Sequence, residues 1–285
     1  MAISLTNIFK DLPIITVLDI GSAFLFDDLS TDYQTLIDTD KVRIIGFDPN
    51  TENSEKFEAK HNGKHKIYPY IIGDGTPGTF HENNFAPTSS LYPSNHALVD
   101  KFWNLGQEAM LTHTTSEVET NRLDDLQHLP GLEDVDAIFI DIQGAELETL
   151  RNATSVLKNV VLVQTEVEFL ELYIDQPLFA DVDIFMRESG FMFHTLISPG
   201  KRCLKPIIIK GDRNLGLNQM LWCDAIYIRD IMKFDVLSDE KLLKFAFLVN
   251  DVYSSIDFCY LALEELDRRN NTKLKHIYFE ATAKN

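Results

Sequence analysis

The sequence predicts an α/β fold built around a doubly wound, largely parallel sheet. Short β-branched runs alternate with longer segments of helical periodicity, an order typical of βαβ units. Several strand candidates end in an acidic residue, and ligands bind outside the carboxyl ends of the strands in such sheets. We therefore expect these acids to line one rim and to mark the functional site. Seven strand candidates fit one sheet, at residues 14–20, 42–47, 66–72, 137–141, 160–166, 191–196 and 225–229.

Two segments interrupt or follow this pattern. Residues 75–134 carry turn sequences such as GTPGTF and APTSS and form a lid-like insertion, since insertions of this length are more often covers or loops than sheet. Residues 231–285 are predicted to be a C-terminal helical extension, with Ser238 as N-cap, that follows a domain over residues 1–230. The extension is strongly apolar over 242–266, so we expect it to be buried against the sheet or to form a homodimer contact.

Composition narrows the class of protein. The chain of 285 residues has 44 acidic and 26 basic residues, a formal charge of −18. This balance disfavours nucleic acid and anionic membrane surfaces as partners, because both are bound through Lys and Arg. The three cysteines show no CxxC spacing, and no apolar run is long enough for a transmembrane helix. We expect buried thiols and a cytoplasmic protein.

The first strand ends in VLDIG, with Asp19 and Gly21 at the turn. A dinucleotide-binding turn requires two further glycines, but Ser22, Ala23 and Phe24 follow here. A pyrophosphate cradle is therefore not expected. S-adenosylmethionine has no phosphates and needs only one glycine for the turn and a carboxylate near its cationic end. We take Asp19, Gly21 and Ser22 as candidate contacts of this cofactor.

The next two strands supply further candidate contacts. The second ends in GFDPN, which places Asp48, followed by Pro49, where a carboxylate can accept both ribose hydroxyls of a nucleoside. The third ends in YPYIIGDG, which brings Gly73 and Asp74 beside the adenine. A simple Asp-Gly turn explains Asp74 equally well.

The fourth strand candidate runs into a turn and a helix with the sequence DAIFIDIQGAELETLRNA. Asp141, Gln143, Gly144 and Glu146 in this stretch resemble the signature of the FkbM-type family of S-adenosylmethionine-dependent methyltransferases. Residues 14–230 share the resemblance, through VLDIG, GFDPN, SSLYPSN, RLDDL, VVLVQTEVEFLELY and NQMLWCDAIYIRD.

The resemblance implies a class I methyltransferase fold, whose seven-stranded sheet has an antiparallel last strand. It also implies S-adenosylmethionine as cofactor and methylation of a hydroxyl, commonly on a sugar or a polyketide-like natural product. One departure concerns the first loop, which in the family reads Asp-x-Gly-x-Asn-x-Gly. The second glycine is absent from this chain.

Methyl transfer requires an aligned acceptor and a group that removes a proton, for which a carboxylate suffices. Asp141 and Glu166 would flank the methyl position, each as base or orienter, while Glu146 would bind substrate or cap backbone amides. Asp141 and Gln143 are also candidate cofactor contacts. Solvated surface charge is the alternative for each acid, and we expect it for part of the cluster formed by Glu166 and the nearby acids at 168 and 171.

No metal is expected. A divalent ion bridging carboxylates is conceivable, but no histidine cluster supports a softer metal. His61 and His65 have helical spacing, yet the Asn-Gly pair between them suggests a surface loop.

The acceptor remains open among several classes. We expect a small-molecule or glycan acceptor. Candidate contacts of the cofactor or the acceptor on the insertion are Ser89, Ser90 and Tyr92, and candidate lining residues before the last strand are Asn218, Gln219 and Trp222. N-methylation of an amide or amine is the main rival to O-methylation. A cofactor-binding protein without transfer activity is a second alternative, and a dehydrogenase is disfavoured by the missing glycines.

Overall fold

The secondary structure alternates between strands and helices, in a computed structural model that describes residues 3–21, 37, 40–49 and 51–283. The strands are β1 (Ile15–Ile20), β2 (Val42–Phe47), β3 (Lys66–Tyr68), β4 (Ile71–Ile72), β5 (Gly78–Asn83), β6 (Thr112–Val118), β7 (Thr120–Asn121), β8 (Ala137–Ile140), β9 (Leu162–Glu168), β10 (Phe191–Lys201) and β11 (Met220–Arg229). The helices are α1 (Leu5–Ile8), α2 (Thr51–Lys60), α3 (His96–Val99), α4 (Glu146–Arg151), α5 (Thr154–Leu157), α6 (Phe179–Glu188), α7 (Asp239–Asp251), α8 (Ile256–Asn270) and α9 (Leu274–Thr282).

The central sheet has seven strands in the order β10-β11-β9-β8-β1-β2-β3. β11 runs antiparallel to both of its neighbours, β9 and β10, while the pairings from β9 through to β3 are parallel. The predicted seven-stranded, doubly wound sheet with an antiparallel last strand is confirmed. The strand order reverses between β1 and β8, and such a reversal opens a crevice for ligands at the carboxyl ends of the strands.

Helices cover both faces of this sheet. Every residue of β1 is buried, as expected for a parallel strand that is covered on both sides. One face packs against α4, α5 and α6 through side chains such as Leu147, Val156 and Met186. The other face packs against α1, α2 and the C-terminal helices, including Phe57 and Phe245.

The C-terminal helices are anchored to the sheet by apolar and ionic contacts. Phe245 of α7 lies in one apolar cluster with Ile228 of β11, and Ser238 caps α7 as predicted. The buried Lys244 ammonium lies 3.1 Å from a carboxylate oxygen of buried Asp136, the residue before β8. The structure shows that this apolar segment packs against the sheet, as one of the two expectations had it. The homodimer contact stays a prediction.

Two parts of the sheet region differ from the expected pattern. The strand predicted over residues 66–72 is divided into β3 and β4, because Pro69 cannot donate a ladder hydrogen bond. β4 pairs with β7, outside the central sheet. The insertion 75–134 contains the antiparallel pair β5 and β6, so the expectation of loops rather than sheet is wrong there. The Thr-rich sequence THTTSEV of β6 favours an extended backbone.

The cysteines are buried free thiols, as predicted. Burial raises the pKa of Cys223 and of Cys259 to about 12, which keeps both thiols protonated near neutral pH. Among the described residues, no helix combines the length and apolar composition that a bilayer crossing requires.

His65 lies in the core, and the surface-loop interpretation is wrong for it. Its Nδ1 accepts the Ile44 N–H at 3.0 Å, and its ring stacks on Phe57 with the centroids 5.4 Å apart. Burial, together with the charges of His61 and Lys64, lowers the pKa of His65 to about 4. The folded chain therefore holds this imidazole neutral.

The neutral His65 makes folding depend on pH, because protonation of Nδ1 would break its bond with Ile44. The imidazole of the unfolded chain protonates near pH 6.5, so its contribution is complete above that pH and is lost as the pH falls toward 4. Between pH 7 and pH 5, we expect the free energy of unfolding to drop by about 2 kcal/mol more in the wild-type chain than in His65→Asn. Denaturant unfolding at both pH values measures this difference. The exposed-site variant His128→Asn should behave as wild type, and equal pH dependence in His65→Asn and wild type would contradict the prediction.

Candidate active site

Four strand positions stand at one level of the central sheet. Ile20 pairs with Phe47 on one side and with Ile140 on the other, and Ile140 pairs with Thr165. The residues that follow these four are therefore level with one another at the carboxyl ends of the strands. They are Gly21, Asp48, Asp141 and Glu166.

The turn after β1 requires glycine. Gly21 has a φ of +76°, and a Cβ at this position would lie 2.2 Å from the Asp141 carbonyl oxygen and 2.4 Å from Ile142 Cγ2. The Gly21 N–H donates to the Phe47 carbonyl, and the Asp141 N–H donates to the Ile20 carbonyl. Any side chain at 21 would force apart the ends of β1 and β8, where the strand order reverses.

Gln143 fixes the separation of two acidic side chains. It follows Asp141 in a left-handed conformation, with a φ of +59°. Its Nε2 donates to Asp141 Oδ1 at 2.7 Å and to Glu166 Oε2 at 2.6 Å. The Tyr173 hydroxyl lies 2.8 Å from both Gln143 Oε1 and the Thr88 carbonyl, and can donate its one hydrogen to either. Since both amide hydrogens are used, the amide places the Asp141 and Glu166 carboxyl groups beside each other.

Glu146 holds the backbone of the same turn. The side chain is buried, and Oε1 accepts the Ile142 N–H at 2.8 Å while Oε2 accepts the Gly144 N–H at 2.9 Å. These contacts match the amide-capping role that the sequence left open for Glu146. They make it a positioning residue for Gln143, which lies between the two capped amides.

Burial and mutual repulsion raise the pKa values of these carboxyl groups. Burial, then the charge of Asp141, raises the pKa of Glu146 to about 7. The same two causes raise the pKa of Glu166 well above its usual range. Surrounding protein atoms raise the pKa of Asp141 as well, but its side chain is exposed to solvent, which favours the charged form. We therefore assign the negative charge of this pair to Asp141 and a proton to Glu166.

Glu168 joins this cluster, whereas Glu171 is exposed as surface charge. The Glu168 side chain is 2% exposed, and burial followed by the charge of Glu146 raises its pKa well above the usual range. Residues two apart in a strand face the same side. The two-residue spacing of Glu166 and Glu168 in β9 could therefore have predicted that Glu168 lies near Glu166.

Three carboxyl groups also have the spacing of a cation site. Asp141, Glu146 and Glu166 each offer an oxygen, and these oxygens lie within 4.8 Å of one another. Hard divalent ions prefer such ligands. Both oxygens of Glu146 already accept backbone N–H groups, so an ion there competes with the turn. The expectation of no metal stays a prediction.

The cofactor contacts expected around β1 and β2 occupy different depths. Asp19 is buried one level below the rim, where it pairs with Gly46 and Phe139. Asp48 is half-buried directly after β2, and Pro49 beside it is exposed. Ser22, the remaining candidate of this group, lies outside the described residues.

The third predicted strand end is arranged as a turn. Gly73 is buried and donates its N–H to the Asn121 carbonyl at 3.0 Å. Asp74 Oδ1 accepts from both the N–H and the hydroxyl of Thr76, at 2.7 and 2.6 Å. These bonds lower the pKa of Asp74 and match the turn interpretation that was kept beside the adenine contact.

The insertion reaches over the strand ends. The Ser90 hydroxyl donates to the Gln143 carbonyl at 2.6 Å, and the Tyr92 hydroxyl donates to Glu148 at 3.0 Å. The insertion therefore contacts the turn that carries Gln143. Trp222 is half-buried and pairs with Glu168 in the sheet, at the far end of the same rim.

Sequence reasoning missed Tyr173 and Gln176. Tyr173 is buried, and its N–H donates to Gln176 Oε1 at 2.7 Å. A Cβ on Gly144 would lie 3.4 Å from the Gln176 side chain, so Gln176 packs against the turn. Neither residue belongs to a strand or a helix, and no periodicity marked them.

Comparison with known proteins gives a family and several more distant likenesses. The sequence model of the Methyltransferase FkbM domain matches residues 19–193. The 2-O-methyltransferase NoeI of Sinorhizobium fredii is 41% identical over 68 residues, which are 24% of this chain and 28% of that protein. The matched segment thus spans less than a third of that relative.

Two solved structures have a lower similarity. Magnesium protoporphyrin IX methyltransferase (ChlM) from Synechocystis, with bound SAM, is 10% identical with a TM-score of 0.38, over 78% of this chain and 73% of that chain. A SAM-dependent methyltransferase from Aquifex aeolicus is 12% identical with a TM-score of 0.33, over 79% of this chain and 87% of that chain.

The two backbone bonds of Glu146 predict a specific loss of stability in Glu146→Gln. A glutamine has one acceptor oxygen, so either the Ile142 or the Gly144 N–H would be left buried and unpaired. We expect the free energy of unfolding to fall by about 1–3 kcal/mol. Denaturant unfolding measures the change, with Glu148→Gln as the control on the same helix. Wild-type stability of Glu146→Gln would show that the turn does not depend on these bonds.

Proposed function

Because the chain belongs to the FkbM methyltransferase family, we propose that it transfers a methyl group from S-adenosylmethionine to a hydroxyl oxygen of a small molecule or glycan. The observation that carries the assignment of the site is the position of Asp141. Its carboxylate is exposed at the end of β8, beside buried acids and at the reversal of the strand order. Such a group can take a proton from an acceptor held in the crevice.

The residues present fit this cofactor. Gly21 leaves the rim between β1 and β8 free of a side chain, and Asp48 places a carboxylate at the end of the neighbouring strand for the ribose hydroxyls. The negative charge assigned to Asp141 complements a cationic sulfonium. When bound, S-adenosylmethionine supplies a methyl group that is already activated by the positive charge on sulfur.

The chain's own residues then have separable roles. Asp141 would accept the proton of an acceptor hydroxyl held in the crevice, which would leave the acceptor oxygen ready to take the methyl group that S-adenosylmethionine would supply. Burial and the charge of Asp141 raise the pKa of Glu166 and favour its protonated form, so we assign Glu166 to orientation through Gln143. Glu146 acts indirectly, because it holds the backbone of the turn that carries Gln143.

Oxygen is favoured over nitrogen as the acceptor by two observations. The curated relative that matches part of this chain is a 2-O-methyltransferase. A neutral hydroxyl also needs a base close to the reacting oxygen, and Asp141 is an exposed carboxylate at the rim. We propose a sugar, glycan or other natural-product hydroxyl as the acceptor, and the cytoplasm as the compartment.

Loss of the Asp48 carboxylate should abolish cofactor binding. We expect calorimetry to show binding of S-adenosylmethionine and S-adenosylhomocysteine to the wild-type chain, no binding to Asp48→Ala, and no binding of NADH. Asp125→Ala, at an exposed site, should bind as wild type. Absence of binding by the wild-type chain would contradict the cofactor assignment, and wild-type affinity in Asp48→Ala would contradict the role of Asp48.

Asp141→Asn should separate chemistry from binding. The amide keeps the shape and a hydrogen-bonding oxygen but cannot accept the proton, so turnover should fall by about 100-fold or more, while affinity for S-adenosylhomocysteine, which has no sulfonium charge, changes little. Methyl transfer to a panel of sugar hydroxyls and amines, followed by mass spectrometry, measures turnover and shows whether oxygen or nitrogen is methylated. Glu166→Gln should lose less activity than Asp141→Asn. The reverse order would assign the base to Glu166, and methylation of amines alone would overturn the hydroxyl acceptor.

A further inference from the structure

The tip of the β10–β11 hairpin, residues 199–219, differs in charge from the rest of the chain. It contains five cationic residues and one acid, Asp212, in a protein with a net charge of −18. The cations are Lys201, Arg202, Lys205, Lys210 and Arg213.

The same tip exposes aliphatic side chains. Five of them keep between 40% and 62% of their surface in solvent, which is unusual for residues so close together in the chain. They are Leu204, Ile207, Ile208, Leu215 and Leu217. A surface that combines exposed aliphatics with Lys and Arg is typical of proteins that lie on anionic bilayers.

The conformation of the tip is fixed by contacts within it and with the rest of the protein. A Cβ on Gly216 would lie 2.3 Å from Lys201 Cβ, so its two arms cross in close contact. The Lys205 N–H donates to the Lys101 carbonyl at 2.8 Å, and the Trp103 indole donates to the Ile207 carbonyl at 2.9 Å. The aliphatic and cationic side chains are therefore presented by a fixed backbone, which lowers the entropy lost on docking.

The position of the tip relates it to the candidate active site. Trp222 at the start of β11 pairs with Gly200 on one side and with Glu168, the last residue of β9, on the other. The hairpin thus extends beyond the carboxyl ends of the parallel strands, on the rim that carries Asp141. A surface that binds the tip faces the same end of the sheet as the site.

We propose that the hairpin tip docks this protein on an anionic phospholipid bilayer. The net negative charge of the whole chain does not predict a membrane-binding face. However, salt screens electrostatic interactions beyond about 10 Å, so the charges of the tip that lie closest to the bilayer decide the interaction. A second copy of the chain fits less well, because a two-fold contact would bring the cations of one tip against those of the other. The proposal does not depend on methyl transfer.

Flotation of the full chain with vesicles tests the proposal. We expect the wild-type chain to bind phosphatidylcholine vesicles that contain phosphatidylglycerol, to bind more weakly as salt rises, and not to bind phosphatidylcholine alone. Failure to bind the phosphatidylglycerol vesicles, or equal binding to both compositions, would overturn the proposal.

Two independent double variants locate the binding surface. Lys210→Gln with Arg213→Gln should weaken binding by about fivefold for each cation removed. Ile207→Ser with Leu217→Ser should remove the aliphatic contribution and also weaken binding. Matched controls at exposed sites toward the other end of the sheet are Lys158→Gln with Lys273→Gln, and Met232→Ser with Val236→Ser.

The controls decide between the tip and general attraction. Both control pairs should bind as wild type, and all variants should keep the wild-type thermal unfolding midpoint. Equal weakening in tip and control variants would overturn the assignment to the tip. A change from dimer to monomer in sedimentation of the tip variants, without vesicle binding by the wild type, would identify a self-association surface instead.

Discussion

The burial of several carboxyl groups at adjacent strand ends is the constraint on which the site depends. Taking a carboxylate out of water is costly unless it is neutralised or fully hydrogen-bonded. Glu146 meets that requirement through two backbone N–H groups. For Glu166, burial and the charge of Asp141 raise the pKa and favour the neutral acid beside the Gln143 amide. Asp141 is exposed, whereas Glu146 and Glu166 are 3% and 9% exposed, so we assign the charge to Asp141.

That electrostatic arrangement in turn rests on the backbone. The parallel register sets Gly21, Asp48 and Asp141 at one level, and the glycine allows β1 and β8 to end in contact. Gln143 reaches both acids from a left-handed conformation, in a turn closed by Glu146. The family signature of Asp141, Gln143, Gly144 and Glu146 is therefore one connected unit, in which Glu146 holds the turn that places the Gln143 amide against the Asp141 carboxylate.

Much of this could be predicted from the sequence. Buried parallel strands are continuous apolar runs, so β1, β2 and β8 were recognised within about a residue at either end. Tyr173 and Gln176 were not recognised, because they act from irregular chain whose path depends on tertiary contacts. His65 was misplaced for a related reason: the turn before it reads as surface, while the imidazole is drawn inward by the Ile44 amide.

This end of the sheet therefore carries acidic groups close to the strand ends and basic groups farther out. The acids Asp141 and Glu166 lie at the strand ends, next to the insertion, whereas the cations of the hairpin tip lie beyond the strand ends. Trp222 stands between, with its backbone paired to Glu168 and the Arg202 guanidinium 5.1 Å from the centre of its ring. The indole face attracts the cation, and the carbonyls of Lys201 and Asn214 accept hydrogen bonds from Arg202 Nη1, so these three groups hold Arg202 in place. Arg202 thus does not neutralise the acids of the site, and these acids remain available to a cationic ligand.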